Sequence, residues 1–108
     1  MDMHAFRQKS AQWLRDHAEE MVADVQAFSR IRSVSRADLA QEGAPFGPEC
    51  RQMLDFALKR AREMGFETED HEGYCGSAIS GDGAHCIGII AHLDVVPEGE
   101  QWLYPPYG

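Results

Sequence analysis

Two stretches of the chain carry the alternating three- and four-residue spacing of apolar side chains that is typical of amphipathic helices. The first predicts one long helix over about 3–31, with charged residues on its opposite face and Asp2 as its N-terminal cap. The second predicts a helix over about 48–64, which begins at a proline and ends before a glycine. Between them, residues 32–46 mix Ser, Gly and Pro without periodicity, so this stretch is predicted to be a loop.

Beyond the second helix the pattern changes to the short alternating runs of β-strands. Strands are predicted over about 66–71, 74–80 and 85–91, with turn residues at 80–83 ahead of the third. The third strand is apolar on both faces, so we expect it to lie buried at the centre of a layered sheet. The predicted fold class is therefore α/β, with two helices followed by three strands.

The last residues, 102–108, are aromatic and Pro-rich, and no predicted element follows to cover their rings. A domain interrupted at such a point leaves a central strand at a sheet edge, with apolar faces in water. We therefore expect the 108 residues to form part of one domain. An isolated piece of this kind is expected to self-associate through the uncovered sheet.

Charge and composition narrow the classes of partner. The chain has 18 Asp and Glu against 10 Lys and Arg, a net charge of -8, and its basic residues form no block. Such a field repels phosphate backbones, which argues against nucleic acid as a partner. No apolar run approaches the ~20 residues that span a bilayer, and the N-terminus lacks a signal-peptide layout, so no membrane partner is expected. The three cysteines lack zinc or redox spacing, and we expect reduced thiols in a cytoplasmic protein.

A candidate site lies directly after the third predicted strand, where His92 and Asp94 are two residues apart. Ligands bind at the carboxyl ends of strands in open α/β sheets. A neutral imidazole is a good zinc ligand, and a carboxylate that accepts a hydrogen bond from its other ring nitrogen fixes the tautomer. The spacing therefore favours an interpretation of His92 as a metal ligand and of Asp94 as the carboxylate that orients it. A bare His-x-Asp also occurs often by chance, so the spacing alone leaves an ordinary solvated pair open.

The residues around this pair resemble a family of zinc peptidases. That family holds peptidase V, carnosinase-like dipeptidases, succinyl-diaminopimelate desuccinylase, aminoacylases and carboxypeptidase G. The shared order in this chain is an apolar strand, then His92-Leu93-Asp94-Val95-Val96-Pro97, Gly99, Trp102 and Pro105-Pro106-Tyr107-Gly108. Passages at 31–35, 45–47 and 64–81 are similar to the peptidase V branch.

The resemblance implies that residues 1–108 are the N-terminal segment of a three-layer α/β/α catalytic domain of a zinc-dependent dipeptidase. In that family two zinc ions per active site activate water for attack on an amide carbonyl, and a Glu acts as general base. His92 corresponds to a zinc ligand and Asp94 to the catalytic-site carboxylate that orients it. The general base, the remaining ligands and the lid domain have no counterpart here, so we expect the chain alone to be inactive.

The substrate and the metal stay open at this point. The resemblance fits a dipeptide, another small peptide or an acylated amino acid as substrate. Histidine and carboxylate ligands accept zinc, cobalt or manganese alike. Six other polar candidates, which lack motif partners, are interpreted as ordinary solvated side chains: His4, His17, His71, His85, Glu98 and Glu100. Ser33 and Ser35 have no His or acidic partner that would make them nucleophiles, and Cys75 lacks the neighbours of a reactive thiol.

Two other classes of function also remain open. A non-catalytic module derived from the peptidase fold would bind a partner or a second copy through its uncovered sheet, and would form a stable complex in solution. A small metal-binding protein would share one ion between the His92 residues of two or more chains. Zinc would then change its oligomeric state.

Overall fold

A computed structural model describes every residue of the chain, 1–108, as a mixed α and β structure. Three helices precede a two-stranded antiparallel sheet. The elements are α1 Met3–Asp16, α2 Ala18–Ser29, a 3-10 turn Ala37–Leu39, α3 Pro48–Glu63, β1 Glu67–His71 and β2 Cys75–Ile79.

The single helix predicted over 3–31 is wrong, because the chain forms two helices that meet at His17. The backbone of His17 leaves helical geometry, with φ -111° and ψ 10°. Its ring stacks on Trp13 at a centroid distance of 4.0 Å, and its Nδ1 lies 2.8 Å from the Trp13 carbonyl oxygen. The same carbonyl oxygen also accepts the His17 amide N–H at 3.0 Å, so the ring shares this helical acceptor with the backbone. The predicted cap is present, since Asp2 Oδ1 accepts the amide N–H of His4 at 2.9 Å.

Helix α3 organises the small core. It begins with Pro48, and three of its side chains, those of Met53, Leu54 and Leu58, are buried. The β1–β2 hairpin packs against this face at Gly76, where an added Cβ would lie 2.6 Å from a Leu58 methyl and 3.0 Å from a Leu54 methyl. Glycine therefore allows the hairpin its close approach to the helix. The three elements lie within the ranges 48–64, 66–71 and 74–80 expected from the sequence.

The third predicted strand, over 85–91, is absent from the structure. Its backbone groups pair with no neighbouring strand, and the sheet contains only β1 and β2. Ile87 and Ile89 are each 92% exposed and Ile90 is 99% exposed. An apolar run becomes a buried strand only when neighbours supply backbone partners and cover both of its faces. Within these 108 residues no such neighbours contact it, and the three-layer arrangement is not seen.

The molecule is extended for its length. Its radius of gyration is 17.1 Å, whereas a compact chain of this size has a value of about 13 Å. Only four hydrophobic side chains, three from α3 together with Val34, form the buried core. None of the helices combines the length and apolar character needed to cross a membrane.

Ion pairs join the elements around α3. Arg60 donates to both carboxylate oxygens of Asp24 in α2, at 2.8 and 2.9 Å, and these hydrogen bonds lower the pKa of Asp24. Arg51 contacts Asp55 within α3 and Asp70 in β1, and both carboxylates raise the pKa of the guanidinium. These contacts hold α2 on one side of α3 and the hairpin on the other.

Candidate functional site

The candidate site lies in the His92 loop, residues 92–98, which packs on the chain that leaves α2. Ser33 there is completely buried, and its Oγ donates to the carbonyl oxygen of Leu93 at 2.8 Å. The carbonyl oxygen of Ser33 accepts the amide N–H of Val95 at 2.9 Å, beside a parallel β-bridge. One buried residue therefore binds the loop backbone on both sides of Asp94.

A second attachment lies at the far end of the loop. Arg32 Nε donates to Glu98 Oε2 at 3.0 Å, and Arg32 Nη1 donates to Glu49 of α3 at 3.1 Å. The Tyr107 hydroxyl donates to the same Glu98 oxygen at 3.1 Å, and the Trp102 indole N–H donates to the Glu98 carbonyl oxygen at 2.6 Å. Arg32 and the aromatic residues that follow the loop thus converge on Glu98.

Electrostatics at this second attachment favour the ionised carboxylate. A hydrogen bond from its own backbone N–H and then the Arg32 guanidinium lower the pKa of Glu98. Burial, followed by the hydrogen bond to Glu98, raises the pKa of Tyr107. The interpretation of Glu98 as an ordinary solvated side chain is therefore wrong, because the carboxylate accepts from two side chains.

The two residues proposed from the sequence lie side by side in this loop. Nδ1 of His92 is 2.9 Å from the backbone carbonyl oxygen of Asp94 and 3.4 Å from its carboxylate Oδ1. The nearer partner is thus the carbonyl and not the carboxylate that the sequence suggested. The two side chains are 85% and 61% exposed, respectively. The ring's other nitrogen, Nε2, makes no hydrogen bond.

A cleft of about 400 Å³ opens beside the pair, between α3 and the hairpin. Phe46, Met53 and Leu54 contribute its apolar wall, and the aromatic rings of Phe46 and Tyr74 meet edge to face at 5.7 Å. Cys50 also lines it, and burial followed by the carboxylates of Asp94 and Glu49 raises the pKa of that thiol. All three cysteines are free, and Cys50 is the least exposed of them.

No three His, Cys, Asp or Glu side chains come together in a group that could hold a metal ion. The geometry of His92 nevertheless fits a single ligand of the expected kind, because Nδ1 is engaged by Asp94 and Nε2 is left for a metal. His71 is not available in the same way, since its Nε2 lies 2.6 Å from Ser77 Oγ. Of the ligands that the zinc ion implied by the resemblance would need, this chain therefore offers one, the Nε2 atom of His92.

Residues that hold the loop could not be recognised from the sequence. Ser33 and Leu93 are 60 positions apart, and Arg32 and Glu98 are 66 apart. No spacing rule links such positions, because their contact depends on how the whole chain folds. The only local hint was that Arg32 and Ser33 are adjacent polar residues directly after a predicted helix.

The known proteins that are similar to this chain carry similar names. Over most of its length, the chain is similar to proteins named as dipeptidases. The "Putative dipeptidase YtjP" of Bacillus subtilis is 36% identical over 89 residues, which cover 82% of this chain and 19% of the relative. Similarly named proteins of Staphylococcus aureus strain USA300 and Staphylococcus saprophyticus are 33% and 34% identical over 94 residues, covering 87% of this chain.

The extent of these matches limits what they show. The chain spans about a fifth of the length of the curated relatives that it matches. No protein-family model matches the chain. The similarity therefore supports a dipeptidase-like relationship for this segment and leaves the activity of any whole protein as a proposal.

Proposed function

We propose that this chain is a segment of a zinc metallopeptidase that hydrolyses dipeptides, with His92 as a metal ligand and Asp94 as the residue that orients it. The observation that carries the proposal is the geometry of this pair, with Nδ1 held 2.9 Å from the Asp94 carbonyl oxygen and Nε2 without a hydrogen-bond partner. The dipeptidase names of relatives at 33% to 36% identity support the reaction class.

A bound zinc ion would supply Lewis-acid chemistry, polarising an amide carbonyl and activating water. The residues of this chain have the simpler roles of binding and orientation. Asp94 fixes the ring of His92 so that Nε2 is the available ligand nitrogen. We expect no turnover from the 108 residues alone, because a catalytic zinc ion normally takes three protein ligands and this proposal assigns one.

A zinc titration followed by NMR tests the ligand role. Zinc should perturb the ring signals of His92 before those of the other histidines, and this response should vanish in His92→Ala. The matched control is His85→Ala, which removes an imidazole that is also exposed but lies outside the His92 loop. An unchanged response in His92→Ala, or its loss in the control, would refute the assignment.

A chimera tests the reaction class. In it, this chain replaces the matching segment of the Bacillus subtilis relative, and hydrolysis of a panel of dipeptides and acylated amino acids is measured with and without zinc. We expect zinc-dependent dipeptide hydrolysis that survives His85→Ala and falls below detection with His92→Ala. If the parent protein is active and the His92→Ala chimera retains that activity, the proposed role of His92 is wrong.

A second candidate is a self-associating module. The observation in its favour is the exposed apolar segment 85–91, in which three isoleucines are more than nine-tenths exposed. Sedimentation of the purified chain would then show a concentration-dependent dimer, and Ile89→Lys would shift it toward monomer. A chain that stays monomeric at all concentrations would exclude this function.

A further inference from the structure

We infer that Ser33 is a positioning residue for the His92 loop, acting through its hydroxyl and its carbonyl to hold His92 against Asp94. This inference rests on the proposed function in one respect, which is that His92 is taken to be a metal ligand. The contacts themselves need no metal, and none of the residues that make them was assigned a role by the sequence.

The first step is the burial of Ser33. Its accessible surface is zero, although it is a small polar residue in a connecting segment. A buried hydroxyl needs a hydrogen-bond partner, and the partner here is the Leu93 carbonyl oxygen at 2.8 Å. The hydroxyl of Ser33 is thus committed to the backbone between His92 and Asp94.

The second step is the contact on the other side. The amide N–H of Val95 donates to the Ser33 carbonyl oxygen at 2.9 Å. The hydrogen bond from the hydroxyl and the hydrogen bond to the carbonyl bracket Asp94, so the peptide units before and after it are both fixed. The Asp94 carbonyl, which lies in the second of these units, is the group that His92 Nδ1 meets at 2.9 Å.

The third step is the exposure of the pair itself. The side chain of His92 is 85% exposed, and the hydrogen bond of its ring is to the Asp94 backbone carbonyl. Its orientation therefore depends on the backbone beneath it. Glu98 supports the far end of the loop through Arg32, but that contact is four residues from Asp94 and does not bracket it.

The test compares Ser33→Ala with Ser35→Ala in the purified chain. Ser35 lines the same cleft and is exposed, and its hydroxyl makes no hydrogen bond, so its removal is a matched control. Amide hydrogen exchange at Val95 and the tautomer signals of the His92 ring nitrogens are measured by NMR. In Ser33→Ala, alanine keeps the carbonyl that accepts the Val95 amide N–H but removes the hydroxyl bond to Leu93, so the loop should open more readily and exchange at Val95 should accelerate about tenfold or more. The His92 ring should move toward the tautomer mixture of an unstructured peptide, and the control should match the wild type.

A residue with a merely structural role would give a different result. It would lower the protection of α3 amides together with that of Val95, whereas positioning confines the change to the His92 loop. Unchanged His92 and Val95 signals in a folded Ser33→Ala chain would overturn the inference, and so would an equal loss of protection in α3. If Ser33→Ala does not fold, Ser33→Thr, which keeps the hydroxyl, is measured in its place. Wild-type His92 signals in Ser33→Thr support the inference, and a disordered His92 loop in the folded variant overturns it.

The outcome separates this inference from the proposed function. The exchange and tautomer measurements use neither zinc nor substrate, so they report on Ser33 even if His92 binds no metal. Conversely, normal zinc binding by His92 in a Ser33→Ala chain would overturn the positioning role and leave the ligand role intact.

Discussion

Replacing Gly76 with alanine tests directly whether the β1–β2 hairpin packs on α3. The added Cβ would lie 2.6 Å from a Leu58 methyl and 3.0 Å from a Leu54 methyl, well inside van der Waals contact. Gly76 has no positive φ, so the substitution adds crowding without backbone strain. Overpacking of a well-packed site costs about 1 to 3 kcal/mol.

Gly88→Ala is the matched control, since the chemical change is the same and the surroundings differ. A Cβ at Gly88 meets nothing within 4 Å, and this residue also lacks a positive φ. Its substitution should change the free energy of unfolding by no more than about 0.5 kcal/mol. Any gain from restricting the unfolded chain applies to both variants, so it cancels in the comparison.

Equilibrium unfolding in urea, followed by circular dichroism, measures the difference. Gly76→Ala should unfold at lower urea than the wild type, and Gly88→Ala should overlay it. Equal free energies for the two variants would refute the packing of the hairpin on α3. A cost of about 1 kcal/mol or more at Gly88 alone would instead favour a buried strand over 85–91, because a packed central strand has little room for an added methyl.

Three further changes test the core, the loop and the cleft. Leu58→Ala should lower the free energy of unfolding by about 2 to 5 kcal/mol in urea titrations, while the exposed Leu39→Ala should have little effect. The folded pKa of Glu98 lies below its usual 4.5. The stabilisation from its contacts is therefore present above that pH and is lost as the pH falls through the folded value. Wild-type stability should decline on acidification more steeply than that of Glu98→Gln, and parallel pH profiles would contradict this. Burial, and then the carboxylate of Asp94, raise the pKa of the Cys50 thiol. Iodoacetamide at mildly alkaline pH should therefore label Cys75 and Cys86 before Cys50, as followed by mass spectrometry. Equal labelling rates for the three thiols would show that Cys50 is not shielded.

Local signals in the sequence were sufficient for α3 and the hairpin. Pro48 at the helix start and the apolar stripe are properties of consecutive residues, and the two strands lie four residues apart at their closest ends. The break at His17 was missed because only the backbone of this residue leaves helical geometry, while the apolar spacing continues unchanged on both sides of it. The segment 85–91 was predicted as a strand from composition, whereas strand formation requires a neighbour that composition does not supply.

The candidate site divides in the same way. His92 and Asp94 could be proposed as a pair from the sequence because they are neighbours in sequence as well as in space. Their support was missed because Arg32 and Ser33 reach across 66 and 60 residues to Glu98 and Leu93. Sequence reasoning thus proposed the pair with candidate chemistry and missed the residues that hold its loop in place.

The position of the His92 loop does not depend on the segment that precedes it. Residues 85–91 contribute no backbone hydrogen bond, whereas the loop is fixed at Leu93 and Val95 by Ser33 and at Glu98 by Arg32. Both supporting residues lie in the connection between α2 and α3, and Arg32 is itself paired with Glu49 of α3. The geometry of His92 and Asp94 is therefore tied to the connection between α2 and α3, and through Arg32 and Glu49 to α3 itself.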